Sequence, residues 1–192
     1  MKKLFFALLL SLPIFLTAGQ YAGFHAGTDY RNKTDCSNSG QKVGVRAGLV
    51  YGYDFGNGLR SEAELSYREG AKRTQYVDSN EDQVAYKRYD SHHEWSYIGN
   101  FFYDLNQLTT YSLTPFVGVG AGYVQTVEHL KIKSVNWTHS EKRRDSGFAY
   151  QGMAGLSYPI AEGIRSNVTY CYHVANPHAK NHSVTVGFAK IF

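Results

Sequence analysis

The sequence predicts an all-β fold: an eight-stranded antiparallel up-and-down transmembrane β-barrel. Three observations predict it. Apolar and polar residues alternate with a period of two over eight segments. Short turns and longer polar connections alternate between these segments, as in an up-and-down barrel. After residue 19 no apolar run reaches the length that a membrane helix needs, which leaves strands as the way across a bilayer.

Residues 1–19 are predicted to be a cleaved signal peptide, which leaves 20–192 as the barrel domain. Lys2 and Lys3 precede a short apolar stretch, and small residues follow it up to Gly19. A basic start, an apolar middle and a small-residue exit are typical of secretory signals. Removing both lysines lowers the formal charge from +4 to +2. A nearly neutral mature chain gives no reason to expect a nucleic-acid partner.

The first two predicted strands already separate an apolar face from a polar one. Tyr21–Tyr30 carries alanine and phenylalanine on one face. Val43–Phe55 is the clearest segment, because its valines, leucine and aromatics share one face while glycines, Arg46 and Asp54 share the other. It is longer than the ~5–6 residues of a usual soluble strand and long enough to cross a bilayer at a tilt.

The third strand follows after a tight turn. Residues 56–58 read Gly-Asn-Gly, a hairpin signal, and Leu59–Arg68 then alternates again. Its polar face carries charges of both signs, among them Arg60, Glu62 and Glu64. The second and third strands are therefore predicted to form a long hairpin with one apolar face and one charged face.

Five further segments alternate in the same way and complete the eight strands. They are Glu94–Leu105, Leu113–Val124, Phe148–Tyr158, Ile164–Val174 and Ser183–Phe192. Aromatic residues cluster near strand ends, as in the interfacial girdles of membrane barrels. The connections are short at 56–58, 106–111 and 159–163, and are predicted to be longer loops at 31–41, 70–92, 126–146 and 175–182.

The inward-facing charges are the candidate functional residues. A soluble barrel with an apolar interior is disfavoured, because burying so many charges in an apolar cavity is costly. An eight-stranded membrane barrel is about wide enough for its own side chains, so opposite charges are expected to pair and fill it. A small gated pore with charge selectivity is the alternative. The predicted network comprises Arg46, Asp54, Arg60, Glu62, Glu64, Arg68, Asp104 and Arg165.

The stretch "LTPFVGVGAGYV" (113–124) has glycine at every second position, at Gly118, Gly120 and Gly122. A dinucleotide-binding loop needs the spacing GxGxxG between a strand and a helix, and neither condition holds here. The three glycines are predicted to face the lumen, where they make room for charged side chains from the second and third strands.

Four stretches resemble the small outer-membrane β-barrel family that includes the OmpA transmembrane domain, OmpX and Opa-like proteins. They are "VYGYDFGNGLRSEAELSYR" (50–68), "TPFVGVGAGY" (114–123), "FAYQGMAGLSYPI" (148–160) and "HSVTVGFAKIF" (182–192). The resemblance implies a monomeric barrel in the outer membrane of a Gram-negative-type bacterium, without a cofactor. It also implies contact with outer-membrane lipids, lipopolysaccharide and the barrel-assembly machinery.

The last strand resembles the C-terminal signal that the assembly machinery reads. Its alternating residues are Val184, Val186, Phe188 and Phe192. Lys190 departs from the family pattern, which has an apolar or tyrosine residue there, although its stem can lie along the apolar surface while the amine reaches water.

No enzyme is predicted. The stretch "YCYHVANPHAKNHS" (170–183) superficially resembles the lipid A deacylases, since His173 and Asn176 match their pattern. Position 175 is alanine, however, and without a hydroxyl there is no nucleophile. The histidines follow no metal-binding pattern. The predicted function is structural and surface-interacting, with adhesion, host or glycan binding by the long loops; a narrow diffusion pore is the second hypothesis.

Two cysteines, Cys36 and Cys171, allow one disulfide in an exported protein. Cys36 falls in the first long loop and Cys171 near the top of the seventh strand, so both are expected near the extracellular rim. Sequence alone does not show that they meet.

Overall fold

A computed structural model of the 192-residue chain describes residues 19–32, 42–77, 86–133, 138–175 and 179–192. Eight antiparallel strands close into a barrel in sequence order, which confirms the predicted fold class. The strands are β1 (Gln20–Asn32), β2 (Lys42–Asp54), β3 (Leu59–Val77), β4 (Tyr86–Asp104), β5 (Thr114–Lys133), β6 (Thr138–Ala161), β7 (Ile164–Ala175) and β8 (Ala179–Ile191). In these described ranges no helix is long and apolar enough to cross a membrane. Apart from Gly19, the predicted signal peptide lies outside them and stays a prediction.

Closure depends on the pairing of the first and last strands. Tyr21 lies opposite Gly52 of β2 on one side and Ile191 of β8 on the other. Among the described residues every strand thus has two neighbours, and no edge carries a row of unpaired backbone groups. This arrangement is required in lipid, because hydrocarbon offers no water to satisfy peptide groups.

Short turns collect at one end of the barrel. Gly56 and Gly58 have φ of 76° and 88°, a left-handed conformation that side chains disfavour. The side chain of Asp54 accepts a 2.9 Å hydrogen bond from the Gly56 amide, which braces the turn. The β6–β7 turn also contains a left-handed glycine, Gly163, with φ of 68°. Since short turns of such barrels face the periplasm, this end is the periplasmic one.

The two faces of the sheet separate as the alternation predicts. Large apolar side chains cover the outer wall, and Leu49, Phe101 and Val119 are 62 to 66% exposed there. Polar and charged residues alternate with them and are buried in the lumen. The apolar wall faces lipid, so its exposure to solvent in the isolated chain is the expected state of a membrane barrel.

Over the residues that the structure describes, the predicted loops 70–92 and 126–146 are strand and not loop. Backbone pairing continues into them, from Gly70 up to the Val77–Tyr86 pair and from Thr126 up to the Lys133–Thr138 pair, and residues 78–85 and 134–137 lie outside the described residues. The reason is physical: above the bilayer both strand faces meet water, so the apolar–polar alternation is lost although the ladder continues. The predicted connection 175–182 is likewise shorter, since β7 and β8 pair up to Ala175 and Ala179.

Glycines of β5 face the lumen, but their neighbours differ from those predicted. A Cβ at Gly118 would collide with the ring of Phe102, and one at Gly120 with the amide oxygen of Asn100. At Gly122 it would collide with the backbone of β4. The glycines therefore make room for β4, not for the charges of the second and third strands, because β4 is the strand that β5 pairs with.

Replacing Gly120 with leucine is expected to impair barrel assembly. The new side chain would have to displace Asn100, which is 1% exposed and held by hydrogen bonds on both sides. The measurement is the folded fraction in detergent, read from the heat-dependent shift of electrophoretic mobility. Gly152→Leu is the matched control, because a Cβ on this outer-wall glycine has no heavy atom within 4 Å. Equal folded fractions for the two variants would contradict the prediction.

Candidate functional site in the barrel lumen

Three lumen arginines of β2 and β3 organise the interior. Arg46, Arg60 and Arg68 are 3%, 5% and 2% exposed. Arginine is almost never buried unless its charge is paired, and each of these contacts at least one carboxylate. The groups around Arg60, Arg46 and Arg68 are called the lower, middle and upper groups, in order from the periplasmic end.

The lower group lies beside the periplasmic turns. Arg60 binds Asp104 in a bidentate manner, with Nε 3.0 Å from Oδ2 and Nη2 2.7 Å from Oδ1. Its Nη1 is 3.4 Å from Glu62 Oε1. Arg165 lies 3.1 Å from Asp54 and 3.7 Å from Asp104, and so joins the same group. Two cations and three carboxylates thus share one region, which limits unbalanced charge.

Aromatic rings position the Arg60 guanidinium. Its central carbon is 4.9 Å from the Phe102 ring centre and 5.3 Å from that of Phe116. The two rings pack edge to face at 5.7 Å. Arginine stacked in this way makes cation–π contacts in addition to its salt bridge. The stacking also fixes the orientation of the guanidinium N–H groups whose hydrogen bonds Asp104 accepts.

The middle group is centred on Glu64. Arg46 Nη2 lies 2.5 Å from Glu64 Oε1, and Arg46 Nη1 donates to Ser183 Oγ at 3.0 Å. The second carboxylate oxygen accepts hydrogen bonds from Asn100 at 2.9 Å and Gln151 at 3.0 Å. Five strands contribute to this one cluster. A buried carboxylate with several charge-assisted partners is strongly fixed in position.

The upper group surrounds Arg68. Its guanidinium pairs with Glu94, donates to Ser96 Oγ at 3.1 Å and lies 3.6 Å from Asp29. His173 Nε2 lies 3.4 Å from Glu94 and has no solvent exposure. The three groups therefore follow one another along the lumen, and each contains both signs of charge.

All eight charged residues predicted for the lumen project into it. Arg46 pairs with Glu64 and Arg60 with Asp104, both within the predicted network, whereas Arg68 takes Glu94, which lies outside it. Members of the network that the sequence prediction did not name are Asp29, Glu94 and His25, which lies 3.7 Å from Glu64. Strand parity was the available signal: Glu94 shares the face of Asn100 and Asp104.

A small cavity separates the lower and middle groups. Its volume is about 50 Å³, and its apolar side includes Phe102, Phe116 and Met153. Cys171 also borders it, as a free and buried thiol whose Sγ is 3.3 Å from Gln151 Oε1. The cysteine thus lies inside the lumen. Its predicted disulfide partner, Cys36, falls outside the described residues.

The candidate hydrolase residues lie on the wrong side of the wall for lipid chemistry. His173 faces the lumen, where Nδ1 is 3.4 Å from Gln151 and Nε2 is close to Glu94. Ala175 is 2% exposed and offers no hydroxyl. The matching Asn176 falls outside the described residues. With alanine at position 175, His173 lacks the serine that the deacylase pattern requires it to activate.

The residues of the predicted assembly signal lie on the outer wall of β8. Val184, Val186 and Phe188 are 38 to 47% exposed, and Phe188 packs 5.7 Å from Phe24 of β1 across the closing seam. Lys190 shares their face, with Nζ 5.9 Å from the ring centre of Phe192. Its ammonium thus has an aromatic neighbour at the periplasmic end.

Comparison with known proteins gives a family match over nearly the whole chain. The model of the outer membrane protein beta-barrel domain family matches residues 4–192. A curated outer membrane protein of Gluconacetobacter diazotrophicus is 35% identical over 149 residues, or 71% of this chain. The match covers 37% of that relative, so the chain spans little more than a third of its length.

Solved structures share the fold at low identity. The Yersinia pestis attachment invasion locus protein Ail is 18% identical, with a TM-score of 0.55, and the match covers 92% of this chain and 100% of Ail. Ail was also solved with the heparin analogue sucrose octasulfate (15% identity, TM-score 0.52, 91% and 99% coverage). Neisserial surface protein A is 14% identical (TM-score 0.50, 91% and 98% coverage).

Breaking the Arg46–Glu64 pair is expected to destabilise the barrel. Arg46→Met leaves a buried carboxylate unbalanced and should lower the free energy of unfolding by roughly 3–5 kcal/mol. The double variant Arg46→Met/Glu64→Met should recover part of that loss, because it removes both charges. Urea unfolding in detergent measures both, and Arg143→Met on the exposed part of β6 is the control, expected within about 0.5 kcal/mol of wild type. Glu64→Met completes the cycle, and a loss in the double variant equal to the sum of the losses in Arg46→Met and Glu64→Met would show that the pair is not coupled.

Proposed function

The chain belongs to the outer membrane protein beta-barrel domain family, and we propose that it is a sealed, non-enzymatic barrel that acts through its extracellular surface. It resides in the outer membrane of a Gram-negative bacterium. The observation that carries the proposal is the stack of three arginine–carboxylate groups along the lumen. A lumen filled in this way leaves the outer surface as the part that interacts.

Lumen geometry supports the sealed state. The interior of an eight-stranded barrel is about wide enough for its own side chains. Arg46, Glu64 and Arg68 are all at most 5% exposed, so a hydrated ion would have to separate buried pairs to pass. Separating a buried pair leaves each charge without its partner in a space shielded from water, which is costly.

The two long hairpins support the surface role. The β3–β4 and β5–β6 ladders continue as paired strands to Val77–Tyr86 and Lys133–Thr138. A paired ladder holds side chains more rigidly than a loop and suits a binding platform. The hairpin ladders also carry cations, among them Lys87 and Arg88 on β4 and Lys131 on β5. Ail, which shares the fold, was solved with a sulfated sugar; for this chain we assign a polyanionic glycan as the ligand class.

A narrow pore is the second candidate, favoured by the cavity of about 50 Å³ between the lower and middle groups. A void of this size with polar groups in its lining has room for a water molecule, and a pathway would require the Arg46 and Arg60 groups to open together. Catalysis has less support, because Ala175 supplies no nucleophile beside His173.

Conductance separates the sealed barrel from the pore. In planar bilayers the wild-type protein is expected to give no stable current steps. The double variant Arg46→Ser/Glu64→Ser should also stay closed, because the lower and upper groups remain. Discrete wild-type steps, with an ion selectivity that changes in the variant, would instead establish the pore.

Shortening the hairpins tests the surface role. Residues 75–88 and 130–141 are each replaced by Asn-Gly, which keeps the pairs Thr74–Tyr89 and His129–Lys142 and so preserves register. Binding to heparin-coated surfaces is expected to fall at least several-fold in one or both variants, with an unchanged heat-dependent mobility shift. Heparin binding that survives both replacements would overturn the assignment of the ligand to the hairpins.

A further inference from the structure

We propose that His25 and His173 make the filling of the lumen sensitive to acid. When both histidines are protonated, the arginine–carboxylate pairs of the middle and upper groups separate, and the lumen opens from the extracellular side as far as the thiol of Cys171. The proposal rests on the sealed barrel proposed above, and it limits the sealed state to pH values at which at least one of the two histidines is neutral.

Each histidine lies beside a carboxylate oxygen that an arginine already occupies. His25 Nε2 is 3.7 Å from Glu64 Oε1, and the same oxygen binds Arg46. His173 Nε2 is 3.4 Å from Glu94 Oε1, which is the oxygen that pairs with the arginine of the upper group. Among the described residues, neither Nε2 atom has a hydrogen-bond partner. A protonated imidazole donates from both of its nitrogens, so acid places a second cation at each of these oxygens.

The surroundings of the histidines supply little water and too few anions for two more cations. His173 has no solvent exposure, and the side chain of His25 is 12% exposed. With neutral histidines, two arginines face three carboxylates in the middle and upper groups; with both histidines protonated, four cations face three carboxylates. An unpaired charge in a water-excluded space is costly, so the second proton favours separation of the pairs. Of these groups, Arg46 and Arg68 face both histidines, Glu64 faces His25, Glu94 faces His173, and Asp29 lies beside Arg68.

Gln151 joins the middle and upper groups. Its Oε1 lies 3.4 Å from both His173 Nδ1 and Arg46 Nη2, and 3.3 Å from Cys171 Sγ. Its Nε2 donates a hydrogen bond to Glu64 Oε2 at 3.0 Å. A protonated His173 always carries a proton on Nδ1, and it then competes with Arg46 for the amide oxygen. Because the same amide orients Glu64, a change in the upper group reaches the Arg46–Glu64 pair, and we expect the two groups to open together.

The lower group limits how far the lumen opens. None of its described members is a histidine, and Arg60 is held there by its bidentate contact with Asp104 and by two aromatic rings. Cys171 lies at the level of the middle group, because it pairs across β7–β8 with Ser183, which accepts a hydrogen bond from Arg46. Acid therefore opens a cavity that is closed at its periplasmic end, and not a channel. Cys171 is 1% exposed, so its reaction with a small reagent reports the opening.

Thiol accessibility in the full-length protein, purified in detergent, tests the proposal. The parent for all measurements is Cys36→Ser, which leaves Cys171 as the single cysteine of the chain. The reagent is dithiodipyridine, which reacts with thiols at neutral and at acid pH, and each rate is divided by that of glutathione at the same pH. Cys171 is expected to react roughly tenfold faster at about pH 4.5, below the usual titration range of histidine, than at about pH 7.5. Return to neutral pH before the reagent is added should restore the slow reaction, and the heat-dependent mobility shift in acid should show a folded barrel.

Histidine variants show which groups take up the protons. His25→Gln and His173→Gln each remove one of the two protons, so either variant should react slowly in acid as well as at neutral pH. The matched control is His93→Gln/His182→Gln, because each of these outer-wall histidines is hydrogen-bonded to a tyrosine and neither belongs to the lumen groups. This control should keep the acid response of the parent. A parent rate that does not change with pH overturns the proposal, and so does an acid response that survives in both single variants.

The same measurement separates this proposal from that of the sealed barrel. Slow reaction of Cys171 at both pH values would overturn only the acid response and would agree with a lumen that stays filled. Fast reaction already at neutral pH, in the parent and in both histidine variants, would show that the lumen is open without any proton uptake. That result would overturn the sealed barrel and the acid response together.

Discussion

Closure of the sheet is the constraint on which the rest of this structure depends. In hydrocarbon a peptide group has no partner but another peptide group, so each strand must be paired on both sides. The β1–β8 seam meets that requirement along its full length, from Tyr21–Ile191 to Asn32–Lys180. Closing eight strands also sets the diameter of the barrel, and in a narrow barrel every inward side chain must fit against those of the other strands. The glycines of β5 leave room for their neighbours, and the arginines fit because their charges are paired.

The lumen arginines show how charge is accommodated in such a space. Arg46 and Arg68 lie directly opposite each other on β2 and β3, a repulsive arrangement if both pointed at the same place. They diverge: Arg46 reaches Glu64 and Arg68 reaches Glu94. Such a network is a weak source of net stability, because desolvation offsets most of the attraction. The network has a clearer effect on strand register, because a slip by one residue would make these charged side chains point outward into the lipid.

The outer wall also matches its surroundings, but with apolar side chains in place of the charged ones of the lumen. Apolar residues cover it wherever lipid is the neighbour, and the exposed residues 141–146 at the extracellular end of β6 are polar or charged on both faces. Glycine has different roles on the two sides of the wall. Gly122 is required because the β4 backbone leaves no room for a Cβ, whereas Gly99 has open space and shapes a surface. Identical residues one strand apart therefore have different surroundings, the β4 backbone at Gly122 and open space at Gly99.

The sequence by itself determined the fold class, the inward and outward faces and the charged residues of the lumen. These follow from a period of two, which is a property of neighbouring residues along one strand. It also determined that position 175 has no nucleophile. Only the tertiary structure decided which carboxylate each arginine takes, how far strand pairing continues into 70–92 and 126–146, and that Ala63, Gly99 and Ala121 align across the outer wall. Each of these depends on the stagger between strands that are distant in sequence, and stagger is fixed by closure of the whole barrel, not by any local pattern.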